Sequence, residues 1–125
     1  MRFDPNLRFS YVNPIIEEYA GLRPDQLLRK TSKEAGVFSN DVQMWEAALW
    51  QVLSTGSAVT KEFSFRTPKG AREFDSRFVP ELDDKGSTRS VLAIIRDITE
   101  RRRAEQDRDH LHTELAHINR IDILG

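Results

Sequence analysis

The chain has 125 residues, 38% of them hydrophobic and 31% charged, which fits one globular domain with a single core. Its 19 basic and 20 acidic side chains leave a net charge of −1, so no basic field gathers nucleic acid and no nucleic-acid partner is expected. The absence of cysteine excludes disulfides, thiolate metal sites and cysteine nucleophiles, and no apolar run reaches the ~20 residues of a membrane span or forms a signal peptide, so a cytoplasmic location without membrane insertion is expected.

Asp4-Pro5-Asn6 supplies turn chemistry ahead of a short strand at Phe9, Tyr11 and Val12. Asn13-Pro14, with Glu17 and Glu18 in the following turn, starts a short helix that ends near Ala20-Gly21. Pro24 opens another around Asp25 to Leu28. Between Asp41 and Ser54, Val42, Trp45, Leu49 and Val52 recur at three- and four-residue steps, which predicts a longer amphipathic helix. Ser39 or Asn40 is its expected cap and Gly56 its left-handed exit.

Past Gly56 the period becomes two: Phe63 and Phe65 alternate with polar residues, and so do Phe74 and Phe78. Thr67-Pro68-Lys69-Gly70 and Asp83-Asp84-Lys85-Gly86 read as turns, and Ser90 to Ile95 as a strand apolar on both sides. The order of strand, helices and three strands predicts an α+β domain, an antiparallel sheet with helices over one face. From Thr99 the chain reads as a solvated helix with i,i+4 charge pairs such as Arg101–Glu105. Leu111, Leu115 and Ile118, joined by Ile121 and Leu124, form a stripe with no core of its own, a coiled-coil segment with Arg101, Arg108 and Asp122 at seam positions.

The stretch Asp4-Pro5-Asn6-Leu7-Arg8-Phe9-Ser10-Tyr11-Val12-Asn13-Pro14 resembles the opening of PAS sensory domains. Arg96-Asp97-Ile98-Thr99-Glu100-Arg101-Arg102-Arg103-Ala104-Glu105 is similar to the motif that closes them and starts their exit helix. A second stretch, Glu114-Leu115-Ala116-His117-Ile118-Asn119-Arg120-Ile121-Asp122-Ile123-Leu124-Gly125, resembles the segment ahead of the phosphoacceptor helix of bacterial sensor histidine kinases. Two departures stand out: only Met1 to Phe3 precede the first turn, where the family carries a full first strand, and Arg29-Lys30 stands where many relatives have glycine. The resemblance implies a PAS domain over residues 1–98, its first strand truncated, and an exit helix over 99–125 leading toward a kinase dimerisation helix.

By that resemblance the chain is the sensory domain of a two-component histidine kinase, homodimeric through Leu111, Leu115 and Ile118, with downstream kinase domains and a response regulator as partners. Asp97 and Thr99 are the expected junction between sensor and output, and also a helix cap. The alternative is a ligand-free dimerisation or spacer module in another signalling protein, such as a cyclic-dinucleotide enzyme. Trp45, Leu49, Phe63, Phe65, Phe74 and Phe78 are the candidate lining of an apolar pocket, although such residues also simply fill a core. Ser76 and Arg77 are candidates for orienting a carboxylate.

No catalytic set converges, and Asp83-Asp84 reads as a turn. No cofactor is expected. The only histidines, His110, His112 and His117, fall in the exit helix, which disfavours histidine-ligated haem and, by their spacing, a metal site. A flavin–cysteine adduct requires the missing cysteine, while a noncovalent flavin or another small ligand is compatible with the sequence.

Overall fold

The computed structural model describes residues 1–38 and 41–118, with helical backbone continuing to Leu124. Its strands are β1 (Arg2–Phe3), β2 (Phe9–Tyr11), β3 (Val59–Thr67), β4 (Gly70–Leu82) and β5 (Thr88–Asp97). The helices are α1 (Ile16–Ala20), α2 (Pro24–Leu27), α3 (Ser32–Ala35), α4 (Val42–Thr55) and α5 (Thr99–Leu124). The five strands form one antiparallel sheet in the order β2-β1-β5-β4-β3, the α+β arrangement expected. The cap expected of Ser39 or Asn40, and the contributions of Ile121, Asp122 and Leu124, lie outside the described side chains.

Though only two residues long, β1 pairs with both neighbours: Arg2 lies opposite Tyr11 and Leu92, Phe3 opposite Phe9 and Val91. Arg2 fastens it by gripping Glu81 through two hydrogen bonds of 2.6 and 3.1 Å. Phe3 is fully buried against the Phe9 ring at 4.5 Å. Asp4 closes the following turn, its carboxylate accepting the Asn6 and Arg8 N–H groups, and Leu7 takes a left-handed φ of 64°.

α3 is an element the sequence pattern did not reveal. Thr31 caps it by accepting the Glu34 N–H at 3.1 Å. The segment before it is tied to β2 by bonds from Phe9 N–H to Lys30 and from Arg29 N–H to Phe9. Arg29 has φ 67°, so the backbone is left-handed at the position where the Arg29-Lys30 pair marked a departure, at a cost of about 1–2 kcal/mol for a residue with a Cβ.

α4 packs across the inner face of β3, β4 and β5 because its apolar stripe places Trp45, Ala48, Leu49 and Val52 on one side, all buried. Gly56 ends it with φ 69°, as its position predicted. Both expected hairpin turns form: Thr67 pairs with Gly70, and Asp83 accepts the Lys85 and Ser87 N–H groups. On the sheet, Phe63 faces Phe74 and Val59 faces Phe78. These inward positions meet Trp45 and the rings around it, and burying each large apolar side chain contributes about 1.5–3 kcal/mol.

Candidate functional site

Register decides which side chains share a face, because strand residues alternate sides. Phe74, Ser76 and Phe78 all point inward along β4, but their surroundings differ. At the Phe78 end Trp45 closes the layer: it meets the Phe78 ring edge-on at 4.9 Å and stacks on Phe38 at 4.6 Å with 11° between planes. At the Phe74 end the layer stays open. A cavity of about 230 Å³ lies there, walled by Tyr19 of α1, Phe38, Phe63, Phe65 and Phe74, and by the edge of β5 at Ile95.

Of the expected lining, therefore, Phe63, Phe65 and Phe74 are placed in the cavity wall. Trp45, Leu49 and Phe78 are 0–1% exposed and packed into the filled core, outside that wall. Tyr19, Phe38 and Ile16 also line the cavity, as do Met1, Asn13, Ile15 and residues 92–95, and they come from segments too short for a long repeat. One signal was available: Ile16, Tyr19 and Ala20 fall at i, i+3 and i+4 on one helical face. Ser76 and Arg77 cannot jointly orient a carboxylate, because Ser76 is fully buried on the inner face and Arg77 is exposed on the outer one. Three buried polar atoms, Ser32 Oγ, Trp45 Nε1 and Ser76 Oγ, have no hydrogen-bond partner among the described residues. Each such group costs stability when desolvated, by about 1–3 kcal/mol.

The junction expected at Asp97 and Thr99 is a compact hydrogen-bonded knot. Thr99 is 3% exposed, and its Oγ1 accepts the Glu73 N–H at 2.8 Å and donates to Asp97 Oδ1 at 2.6 Å. Asp97 Oδ1 also accepts the Thr99 N–H at 2.9 Å, so it caps the start of α5. The Ile98 N–H bonds the Glu73 carbonyl at 2.8 Å. Burial raises the Asp97 pKa, but the hydrogen bonds from Thr99 and the nearby Arg72 and Arg103 charges outweigh it, holding the carboxyl below its ordinary value. One turn on, Arg102 pairs with Glu62 and lies 3.8 Å from Glu73.

Beyond Arg102 every described side chain of α5 is exposed. Leu111, Leu115 and Ile118 are 51–58% exposed and touch no core. His110 pairs with Glu114 at 3.0 Å. No helix among the described residues is long and apolar enough to cross a membrane.

A protein-family model described as "PAS fold" matches residues 1–103. No curated protein matches the chain. Among solved structures, VqmA of Vibrio cholerae in complex with ligand and DNA superposes with a TM-score of 0.69 at 21% identity, over 78% of this chain and 45% of that one. This chain thus spans less than half the length of VqmA. A sensory box histidine kinase/response regulator from Burkholderia thailandensis gives 0.61 at 22% identity, over 93% and 88% of the two chains. The N-terminal domain of a diguanylate cyclase from Marinobacter aquaeolei gives 0.64 at 14% identity, over 81% and 94%.

The VqmA match corrects one expectation. The balanced charge suggested that nucleic acid plays no part, yet a domain of this fold occurs in a protein crystallised with DNA. Net charge describes the surface of the domain itself, and a neutral sensory domain is compatible with a DNA-binding chain around it.

Proposed function

The chain belongs to the PAS family, and on that premise we propose that it is the sensory domain of a two-component histidine kinase, reporting the state of its aromatic cavity through α5. One observation carries the sensory part: cavity and output meet on adjacent residues of β4. Phe74 walls the cavity, while the Glu73 backbone holds Ile98 and Thr99 at the root of α5. A rearrangement that moves Phe74 moves the anchor of the helix one peptide away. Two packings separated by a few kcal/mol, one favoured by the stimulus, would suffice as a switch.

The kinase assignment is supported by the likeness of residues 114–125 to the segment preceding a phosphoacceptor helix. In the full-length parent incubated with radiolabelled ATP, an acid-labile, alkali-stable phosphohistidine is expected. Cyclic-dinucleotide synthesis or sequence-specific DNA retention by the parent, without phosphohistidine, would replace the kinase by the output of the other structural neighbours.

Transmission by this route works best when two exit helices report to each other, and the Leu111, Leu115 and Ile118 stripe supports pairing with a second copy. Burying a leucine contributes about 1.5–3 kcal/mol, whereas the exposed Arg101–Glu105 pair at 3.8 Å adds only a few tenths. Leu115→Asp is therefore expected to shift sedimentation toward monomer and leave the sheet's circular dichroism intact. If that variant associates as well as the parent sequence, α5 is not the contact.

A further inference from the structure

The exit helix presents two different sides as it leaves the sheet. Over its first two turns Thr99, Arg102, Arg103 and Gln106 line a groove against Ser64 and Glu73 of the β3–β4 hairpin, so this side of α5 faces its own domain. At about 100° per residue, Arg101, Ala104 and Arg108 fall on the opposite side, and all three are exposed. Steps of three and four residues carry that line on from Arg108 to Leu111, Leu115 and Ile118, whose apolar side chains are exposed as well. One continuous face therefore runs from the root of α5 to Ile118, turned away from the domain that holds it.

In heptad terms this face is a seam with the layers Arg101, Ala104, Arg108, Leu111, Leu115 and Ile118. Arginine layers in a seam repel a second copy unless each guanidinium meets an acid there. The chain places an acid directly before each one: Glu100 before Arg101 and, seven residues on, Asp107 before Arg108. Both acids hold the position that flanks the seam, and in a parallel, unstaggered pair each lies beside the following arginine of the opposite helix. Within its own helix Arg101 also meets Glu105 at 3.8 Å. It thus stands between that carboxylate and the partner's Glu100, and offsets their repulsion. His112, five residues beyond Asp107, flanks the seam opposite the partner's Asp107 and adds no negative charge there.

Other arrangements lose this match. An antiparallel pair that sets Leu111 on the partner's Leu115 puts Arg108 against the partner's Ile118. A stagger of one heptad sets Leu115 against the partner's Arg108. In both, a cation is desolvated against an aliphatic side chain, which is costly.

We propose that Arg101 and Arg108 are the register keys of a parallel α5 pair between two copies of this chain, bonding the partner's Glu100 and the partner's Asp107. This deepens the pairing read above from the leucine stripe and rests on it. The two arginines, which otherwise only interrupt the seam, then set partner, direction and register. The pair also starts at the first turn beyond Thr99, so the root of one helix reaches the other without a slack spacer.

The chain lacks cysteine, so single introduced thiols report the layers directly. Ala104→Cys lies between the arginine layers and Leu111→Cys beyond them, and both are expected to cross-link into dimers under mild oxidation. Asp107→Arg sets like charges across the seam, and it should weaken association in sedimentation equilibrium at least about tenfold and slow cross-linking through Ala104→Cys. Adding Arg108→Asp reverses the pair and should restore association to within about threefold of the original. Mixed together, the exchanged and original chains should sort into their own homodimers. Cross-linking through Leu111→Cys without Ala104→Cys, or an exchanged variant as weak as Asp107→Arg, overturns the keys and leaves the leucine-stripe pair standing. Preferred cross-linking between Leu111→Cys and Leu115→Cys chains overturns the parallel direction. A chain that stays monomeric and cross-links through neither thiol overturns the pairing itself, and the keys with it.

Discussion

Phe78→Ala is expected to destabilise the domain by about 3–5 kcal/mol, and Phe65→Ala by only about 1–2 kcal/mol, in keeping with a half-buried ring. Both are phenylalanines on the inner face of the sheet, and the sequence offers no reason to rank them. The structure does. Phe78 is fully buried under the Trp45 ring, so truncation leaves a void that neighbours on β3, β5 and α4 cannot close. Phe65 is half-buried and already borders the cavity, so its loss widens an existing opening. For a domain of this size each kcal/mol moves Tm by roughly 3–6 °C. Thermal unfolding should separate the two variants by about 10 °C in Tm. Equal losses would mean that Phe65 is packed as tightly as Phe78 and that the cavity does not reach it.

That contrast also marks what the sequence made legible. Periodicity reports which way a side chain points, and it did so for α4 and for β3 to β5: Trp45, Leu49, Phe63, Phe74 and Phe78 all face inward. It does not report whether the space they face is filled. That depends on which ring arrives from the opposite layer, and here Trp45 reaches Phe78, while Tyr19 meets Phe74 and Phe38 meets Phe63 and Phe65 beside the cavity. Phe38 has φ 55°, a backbone that no local pattern announces for a bulky residue. α3 was missed for a related reason. Four residues are too few to show a period, and the helix is held by the Thr31 cap and by the tie of Lys30 to Phe9. The Arg29 departure from glycine, by contrast, pointed to a backbone irregularity that is present. The knot at Asp97 and Thr99 was visible as a cap, but its third member, the Glu73 peptide, became visible only once β4 was paired with β5 in register.

Breaking that knot should loosen α5 while sparing the sheet. Thr99→Val keeps the shape of the side chain and removes the hydroxyl, so the Glu73 N–H loses its acceptor and Asp97 one of its donors. A loss of about 1–3 kcal/mol is expected, the cost of stranding a largely buried partner. Thr99→Ser, which keeps the hydroxyl, should lose less than about 1 kcal/mol. Asp97→Asn tests the charge. Because the folded-state pKa of Asp97 lies below its ordinary 3.8, its contribution is fully present above pH 3.8 and is lost as pH falls through the lower folded value. The stability gap between wild type and Asp97→Asn should thus be constant near neutrality and close in acid, as read by urea unfolding at several pH values. Hydrogen exchange at the Glu73, Thr99 and Arg102 amides supplies the local readout, with faster exchange expected in Thr99→Val while central β4 amides keep wild-type protection. If those three amides remain as protected as in wild type, the root of α5 is held instead by the Ile98 bond to Glu73 and by Arg102 against Glu62, and the coupling route must run through those contacts.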